Sequence, residues 1–247
     1  DTAKIHGLEV WLYDEYPYPS GMCGGQVVLD YPEFIAKTLH WEVLDINGEQ
    51  DVELTLPWGG ILMAQAYPIA DKRVEWSKPV DISGNIGIYQ QDRIFQMSGS
   101  TIYIEKRFFS GNPKKKLHWC APKGKWHICI FMEVPVEQFK YFGTFVDPVN
   151  PDAMAYYIKT THEKYKKHLG HEFGRTIKGI FTDEIAPMGT PIPWSPLMPR
   201  LFKEKNGYSL EEKLPALIDS SYDNSARIRY DYWNLLVNSF IESYDVQ

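Results

Sequence analysis

The sequence predicts an α/β fold: a partial (β/α)8 barrel of the TIM type, interrupted by an inserted all-β, sandwich-like domain. Three observations carry that prediction. Both flanks alternate strand and helix, with "IHGLEVWLY" (5–13) and "FGRTIKGIFTDE" (173–184) reading as apolar strands and "NPDAMAYYIKTTHEKYKKHLG" (150–170) as a helix. Between the flanks, from Trp41 to about Val134, short alternating segments follow one another with no helix between them. Finally, both flanking strands drive into an acid doublet and then a proline-bearing loop, Asp14-Glu15 in "VWLYDEYPYPSG" and Asp183-Glu184 in "GIFTDEIAP".

Taken in order, "SGMCGG" (20–25) is a glycine-rich loop without the Gly-Lys-Ser/Thr of a phosphate loop. A short helical turn is expected at 30–39, with Asp30 as N-cap. The strands of the middle block are "WEVLDI", "DVELTLP", "ILMAQAYPI", "RIFQMS", "TIYIEKRFF", "KLHWCAP" and "WHICIFMEV", with "NGEQ", "SGS" and "PKGK" among the turns. In the helix at 150–170, Pro151 suits the first turn, Asp152 meets the positive end of the helix dipole, and Gly170 is a stop. Short helices capped by Ser195 and Ser209 follow, and an amphipathic helix closes the chain at 225–244. The divisions are 1–40, a barrel strand and helix; 41–135, the insert; and 136–247, further barrel strands and helices, truncated. The opening strand has no preceding helix and the closing helix no following strand, so the expectation is an internal piece of a larger barrel.

Composition narrows the function. Of 247 residues, 44% are hydrophobic and 23% charged, which suits a packed globular core, and no window approaches the roughly 18 apolar residues of a membrane helix. The formal net charge of −6 disfavours nucleic acid as a partner, because phosphate binding needs a basic footprint. Three cysteines, Cys23, Cys120 and Cys129, match no disulfide framework or zinc spacing, and Cys120 and Cys129 read as buried free thiols. Aromatic residues reach 15%, with 16 Tyr and 8 Trp; either an aromatic-rich core or a site stacking flat ligands such as sugars accounts for this.

The acid doublets are the candidate chemistry. In a parallel barrel the site forms at the C-terminal ends of the strands, where Asp14, Glu15, Asp183 and Glu184 fall. Side chains alternate along a strand, so one acid of each doublet faces the mouth and its neighbour orients it. Paired carboxylates across a cleft are the equipment of glycoside hydrolysis, one giving a proton to the leaving oxygen and the other acting as nucleophile or base. The competing reading makes both doublets helix caps or loop-stabilising acids. Other motifs fall short: His162, Glu163 and His168 lack His-Glu-x-x-His spacing, and Ser20 lacks the Gly-x-Ser-x-Gly elbow. His127 and His171 read as packing or surface residues.

Four runs occur together in order: "LEVWLYDEYPYPSGMCGG", "KLHWCAPKGKWHICIF", "FVDPVNPDAMAYYIKTTHEKYKKHLGHEFGRTIKGIFTDEIAP" and "RYDYWNLLVNSFIESY". In this combination the chain resembles the catalytic region of the large bacterial enzymes grouped with the α-L-rhamnosidases of glycoside hydrolase family 106. The resemblance is strongest at 8–25 and 115–187. It implies an interrupted (β/α)8 barrel and, in some members, metal-influenced inverting hydrolysis with a divalent ion such as calcium. It makes Glu184 similar to the general acid, with Asp183 its neighbour, and makes Tyr13, Asp14, Glu15 and Asp147 (in "FVDP") part of the sugar pocket. The family's second carboxylate falls on a later strand with no counterpart before Gln247. The expectation is therefore a fragment holding half of the catalytic pair, inactive alone, with the rest of the barrel outside this chain. A polysaccharide-degrading enzyme favours a periplasmic or extracellular setting. Trp194, on the loop after the second doublet, either stacks on a sugar ring or caps the rim. Two functions stand side by side: a glycoside hydrolase acting on carbohydrate, or a non-catalytic carbohydrate-binding or scaffold protein.

Overall fold

The computed structural model describes residues 2–16, 18–90, 95–96, 108–109, 113–137, 139 and 143–246. The chain divides into two compact units, residues 1–40 with 133–247, and residues 41–132. In chain order it opens with a helical turn α1 (Thr2–Ile5), strand β1 (Val10–Tyr13) and helix α2 (Gln26–Asp30). Strands β2 (Lys37–Asn47), β3 (Gln50–Leu56), β4 (Gly60–Ala70), β5 (Arg73–Val74), β6 (Val80–Asp81), β7 (Ile86–Gln90), β8 (Phe95–Gln96), β9 (Phe108–Phe109), β10 (Pro113–Ala121) and β11 (Lys125–Pro135) come next. Helices α3 (Pro151–Thr160) and α4 (His162–Leu169), strands β12 (Ile177–Phe181) and β13 (Ile192–Trp194), and helices α5 (Met198–Asn206), α6 (Pro215–Ile218) and α7 (Ser225–Phe240) complete it, with a π turn at Ile241–Asp245.

The expected partial (β/α)8 barrel with its sandwich-like insert is not the fold, and the assignment is corrected to a mixed one dominated by antiparallel strands. A TIM barrel needs parallel strands hydrogen-bonded in sequence around a ring. Among the described residues, β1 and β12 form a two-stranded parallel pair, whereas β3–β10, β7–β10, β2–β13, β4–β5, β4–β6 and β8–β9 pair antiparallel. After β12 the chain does not add another parallel strand beside it. It turns instead into β13, which pairs antiparallel with the start of β2, Ile192 opposite Leu39 and Trp194 opposite Lys37. Strand–helix–strand alternation in the flanks was enough to specify one parallel pair and nothing further.

In the unit formed by 1–40 and 133–247, the core gathers Met22, Val27, Val28, Ala36, Val136, Phe145, Val146, Ala153, Met154 and Tyr157. Helix α3 presents Ala153, Met154 and Tyr157 to it at helical spacing. Asn150 caps α3 by accepting from the Asp152 amide at 3.0 Å, and Pro151 occupies the first turn, where no intrahelical donor is lost. The single helix expected over 150–170 is two helices, broken at Thr161. The helical turn expected at 30–39 is present as a 3-10 turn at Pro32–Phe34, with Tyr31 in the cap position; Asp30, the expected cap, instead ends α2. Helix α5 stops at Gly207, whose φ of 78° is the left-handed conformation glycine adopts without cost.

In the unit formed by 41–132, β10 lies between β3 and β7 in a three-stranded antiparallel sheet. Strand β11 lies between β2 and β4. Its run Ile128 to Met132 is no more than 1% exposed, so it is covered on both faces and shows no alternation. Cys129 is buried as expected, whereas Cys120 is exposed. The strands expected at 93–98 and 101–109 lie outside the described residues apart from Phe95–Gln96 and Phe108–Phe109, which pair antiparallel.

Candidate functional site

The parallel pair sets the site. Val10 lies opposite Ile177, Trp11 opposite Gly179, Leu12 opposite Ile180 and Tyr13 opposite Phe181. Both strands therefore finish together, and the two acid doublets leave them side by side. The Asp14 amide extends the ladder one step, donating to the Phe181 carbonyl at 3.3 Å. Gly179 is required by Trp11: a Cβ there would sit 2.4 Å from the indole. Alternation sends Tyr13 to the exposed side, its ring 5.2 Å from that of Phe181, and sends Asp14 inward.

Asp14 is 2% exposed and is surrounded by donors. Its Oδ1 accepts from Ser20 Oγ at 2.6 Å. Its Oδ2 accepts from Thr182 Oγ1 at 2.6 Å and from His162 Nε2 at 3.1 Å. Its main-chain carbonyl accepts from the Tyr157 hydroxyl at 3.1 Å. Burial alone raises the carboxyl pKa, but the hydrogen bonds from His162, Ser20, Thr182 and Tyr157 together outweigh it and hold the group below the ordinary aspartate value. An ionised carboxylate only accepts, so His162 carries its hydrogen on Nε2, and its buried Nδ1 has no hydrogen-bond partner. The ring stands edge-on to Tyr157 at 5.3 Å.

On the outer side, the Tyr13 hydroxyl donates to Asp183 Oδ2 at 2.9 Å and lies in very short contact with Glu15 Oε2. One phenolic hydrogen is thus placed between a carboxylate from each doublet. The bond to Glu15, burial and the neighbouring Asp183 charge keep this phenol protonated far above its ordinary range. Glu184 follows, exposed to solvent, with a φ of 45° that is uncommon for any residue but glycine.

The other two expected pocket residues lie elsewhere in the same unit. Asp147 is buried: its Oδ1 accepts from the Val149 amide at 3.0 Å and its Oδ2 has no hydrogen-bond partner. Burial pushes its pKa up to about 6 against the pull of the nearby Ser195 hydroxyl, the Val149 amide and Lys37. Trp194 is 2% exposed, donates its indole hydrogen to Glu133 Oε2 at 3.2 Å and stacks on Tyr232 at 6.3 Å. Neither face of that ring is open to a ligand.

Ser20, Tyr157, His162 and Thr182 surround Asp14, and the Tyr244 hydroxyl donates to Thr182 Oγ1 at 2.9 Å; sequence reasoning connects none of the five to the doublets. The available signal was a small hydroxyl residue next to each doublet, Ser20 and Thr182. The sequence motifs that would mark His162 and Ser20, a metalloprotease pair and a nucleophile elbow, do not match.

Divalent-metal binding requires several hard donors converging on one point. Among the described residues no three His, Cys, Asp or Glu side chains do so, and the Asp14 oxygens are occupied by protein donors.

No curated protein matches the chain. A family model described as alpha-L-rhamnosidase, glycoside hydrolase family 106, matches residues 110–246, more than half of the 247. That stretch carries α3, α4, β12 and the second acid doublet. The chain belongs to glycoside hydrolase family 106.

Proposed function

We propose that the protein carrying this chain hydrolyses glycosidic bonds of α-L-rhamnosides in plant or bacterial polysaccharide, with Glu184 giving a proton to the leaving oxygen. The observation that carries the reading is the in-register end of β1 and β12, which gathers Glu15 and Asp183 beside one phenol and leaves Glu184 next in the chain. In this reading Asp183 is the neighbour that sets the acid, and Tyr13 and Glu15 grip sugar hydroxyls. The exposure of Glu184 supports it, because a proton donor must reach the substrate. Its left-handed backbone supports it too, since such strain, of order 1 kcal/mol or more, collects at functional positions.

The test is Glu184→Gln in the intact protein, assayed on two aryl α-L-rhamnosides differing in leaving group. General-acid catalysis contributes about 10²- to 10⁴-fold. With a poor leaving group kcat is expected to fall by that order. With dinitrophenolate, which departs without a proton, the loss is expected to be under about tenfold. An unchanged rate, or equal losses on both substrates, removes Glu184 from the role.

A further inference from the structure

We infer that Asp14 is a positioning residue, which orients the second acid doublet through Ser20 and Thr182 and does not touch the substrate. The inference rests on the glycosidase reading of Glu15, Asp183 and Glu184, and it moves Asp14 from the sugar pocket to the frame behind it.

The Asp14 side chain has no exposed surface, and each of its oxygens already accepts from a protein donor. What it does is impose direction. A hydroxyl has one hydrogen to give and lone pairs to receive with. Because the Asp14 carboxylate only accepts, the Ser20 hydroxyl must point its hydrogen at Asp14. That leaves the Ser20 oxygen to receive the Asp183 amide at 3.0 Å, while the Ser20 amide donates back to the Asp183 carbonyl at 3.0 Å. Both main-chain groups of Asp183 are thereby tied to Ser20. The same logic acts on Thr182, whose hydrogen goes to Asp14 and whose oxygen receives the Tyr244 hydroxyl at 2.9 Å. Two chains of hydrogen bonds therefore end on one carboxylate, and between them they fix the backbone that presents Asp183 and Glu184. Reversing either chain frees that backbone. Displacement of a catalytic group by about 1 Å is enough to cost on the order of 10²-fold in rate.

The experiment compares Asp14→Asn, Ser20→Ala, Thr182→Val and Thr182→Ser in the intact protein, by kinetics on an aryl α-L-rhamnoside and by residue-resolved amide hydrogen exchange. Ser20→Ala and Thr182→Val each remove one donor and keep the others, so folding does not depend on Asp14→Asn alone. The expected result is a kcat lowered at least tenfold in both, with KM within about twofold, and near-normal kcat in Thr182→Ser. The Asp183 amide should exchange at least tenfold faster in Ser20→Ala and in Asp14→Asn. Normal kcat in Ser20→Ala and Thr182→Val, with Asp14→Asn alone impaired and its KM raised, would mean that Asp14 meets the sugar, and overturns the inference. If the unsubstituted protein cleaves no rhamnoside, it is the glycosidase reading that fails. The exchange measurement still decides, and unchanged protection of Ser20 and Asp183 in Asp14→Asn overturns the positioning role.

Discussion

Tyr13 donates its phenolic hydrogen to Asp183 at 2.9 Å across 170 residues of sequence, and the same oxygen lies against Glu15. Replacing it with phenylalanine keeps the ring against Phe181 and removes only the hydroxyl. Tyr13→Phe removes the one donor shared by the two doublets, and a misplaced catalytic carboxylate costs rate steeply, so kcat/KM should fall by about tenfold or more with little change in Tm. Because the phenol is held protonated well above its ordinary range, the pH–rate profile should show no alkaline limb that disappears in this variant.

Asp14 should make the protein sensitive to acid. Its pKa in the folded chain lies below the unfolded value of about 3.9, so its contribution is complete above that pH and is lost as pH falls through the folded value. Urea unfolding should therefore show Asp14→Asn much less stable than the unsubstituted protein at pH 7. The gap between them should narrow below about pH 4.

Asp147 should act in the opposite sense. Its folded pKa of about 6 lies above the unfolded value, so the folded state favours the proton. Stability from this group is complete below about pH 4 and declines as pH rises through about 6. A shift of about two units corresponds to roughly 3 kcal/mol. Asp147→Asn should remove this slope, leaving the variant the more stable of the two at pH 8 in denaturant titrations and nearly equal to the unsubstituted protein at pH 4.

Trp194 separates core from pocket. Trp194→Ala should destabilise by about 3–5 kcal/mol through the cavity it leaves. Trp194→Phe keeps a stacked ring against Tyr232 and loses the bond to Glu133. Its KM for a rhamnoside should match that of the unsubstituted protein; a several-fold rise would return the residue to the sugar site.

The positions of the acid doublets were legible in the sequence because an apolar run ending abruptly in acids is a local signal, and β1 and β12 do end at Tyr13 and Phe181. Which acid faces inward was not. Period-two alternation says that Asp14 and Glu15 differ, but choosing between them needs the partner strand and the donors Ser20, Thr182 and His162, all distant in sequence from at least one of the groups they meet. Trp194 shows the same limit: a tryptophan in a proline-rich loop looks available until the packing of Tyr232 and Glu133 around it is known. The barrel failed for a related reason. Two strands and an intervening helix define handedness and one pairing, while ring closure depends on pairings that no local pattern in this chain encodes.

The pairing of Val10 with Ile177 has a consequence for how this protein comes into being. Closing a loop of that span is entropically costly and slow compared with forming a helix or a hairpin. The helices can form as soon as their own residues are available, and the β4–β5 hairpin needs only near neighbours. The acid cluster cannot: Glu15 and Asp183 meet only when β1 has found β12. Recovery of activity during refolding should thus lag the return of helical signal, and a partly folded chain carries every acid of the site while lacking the site itself.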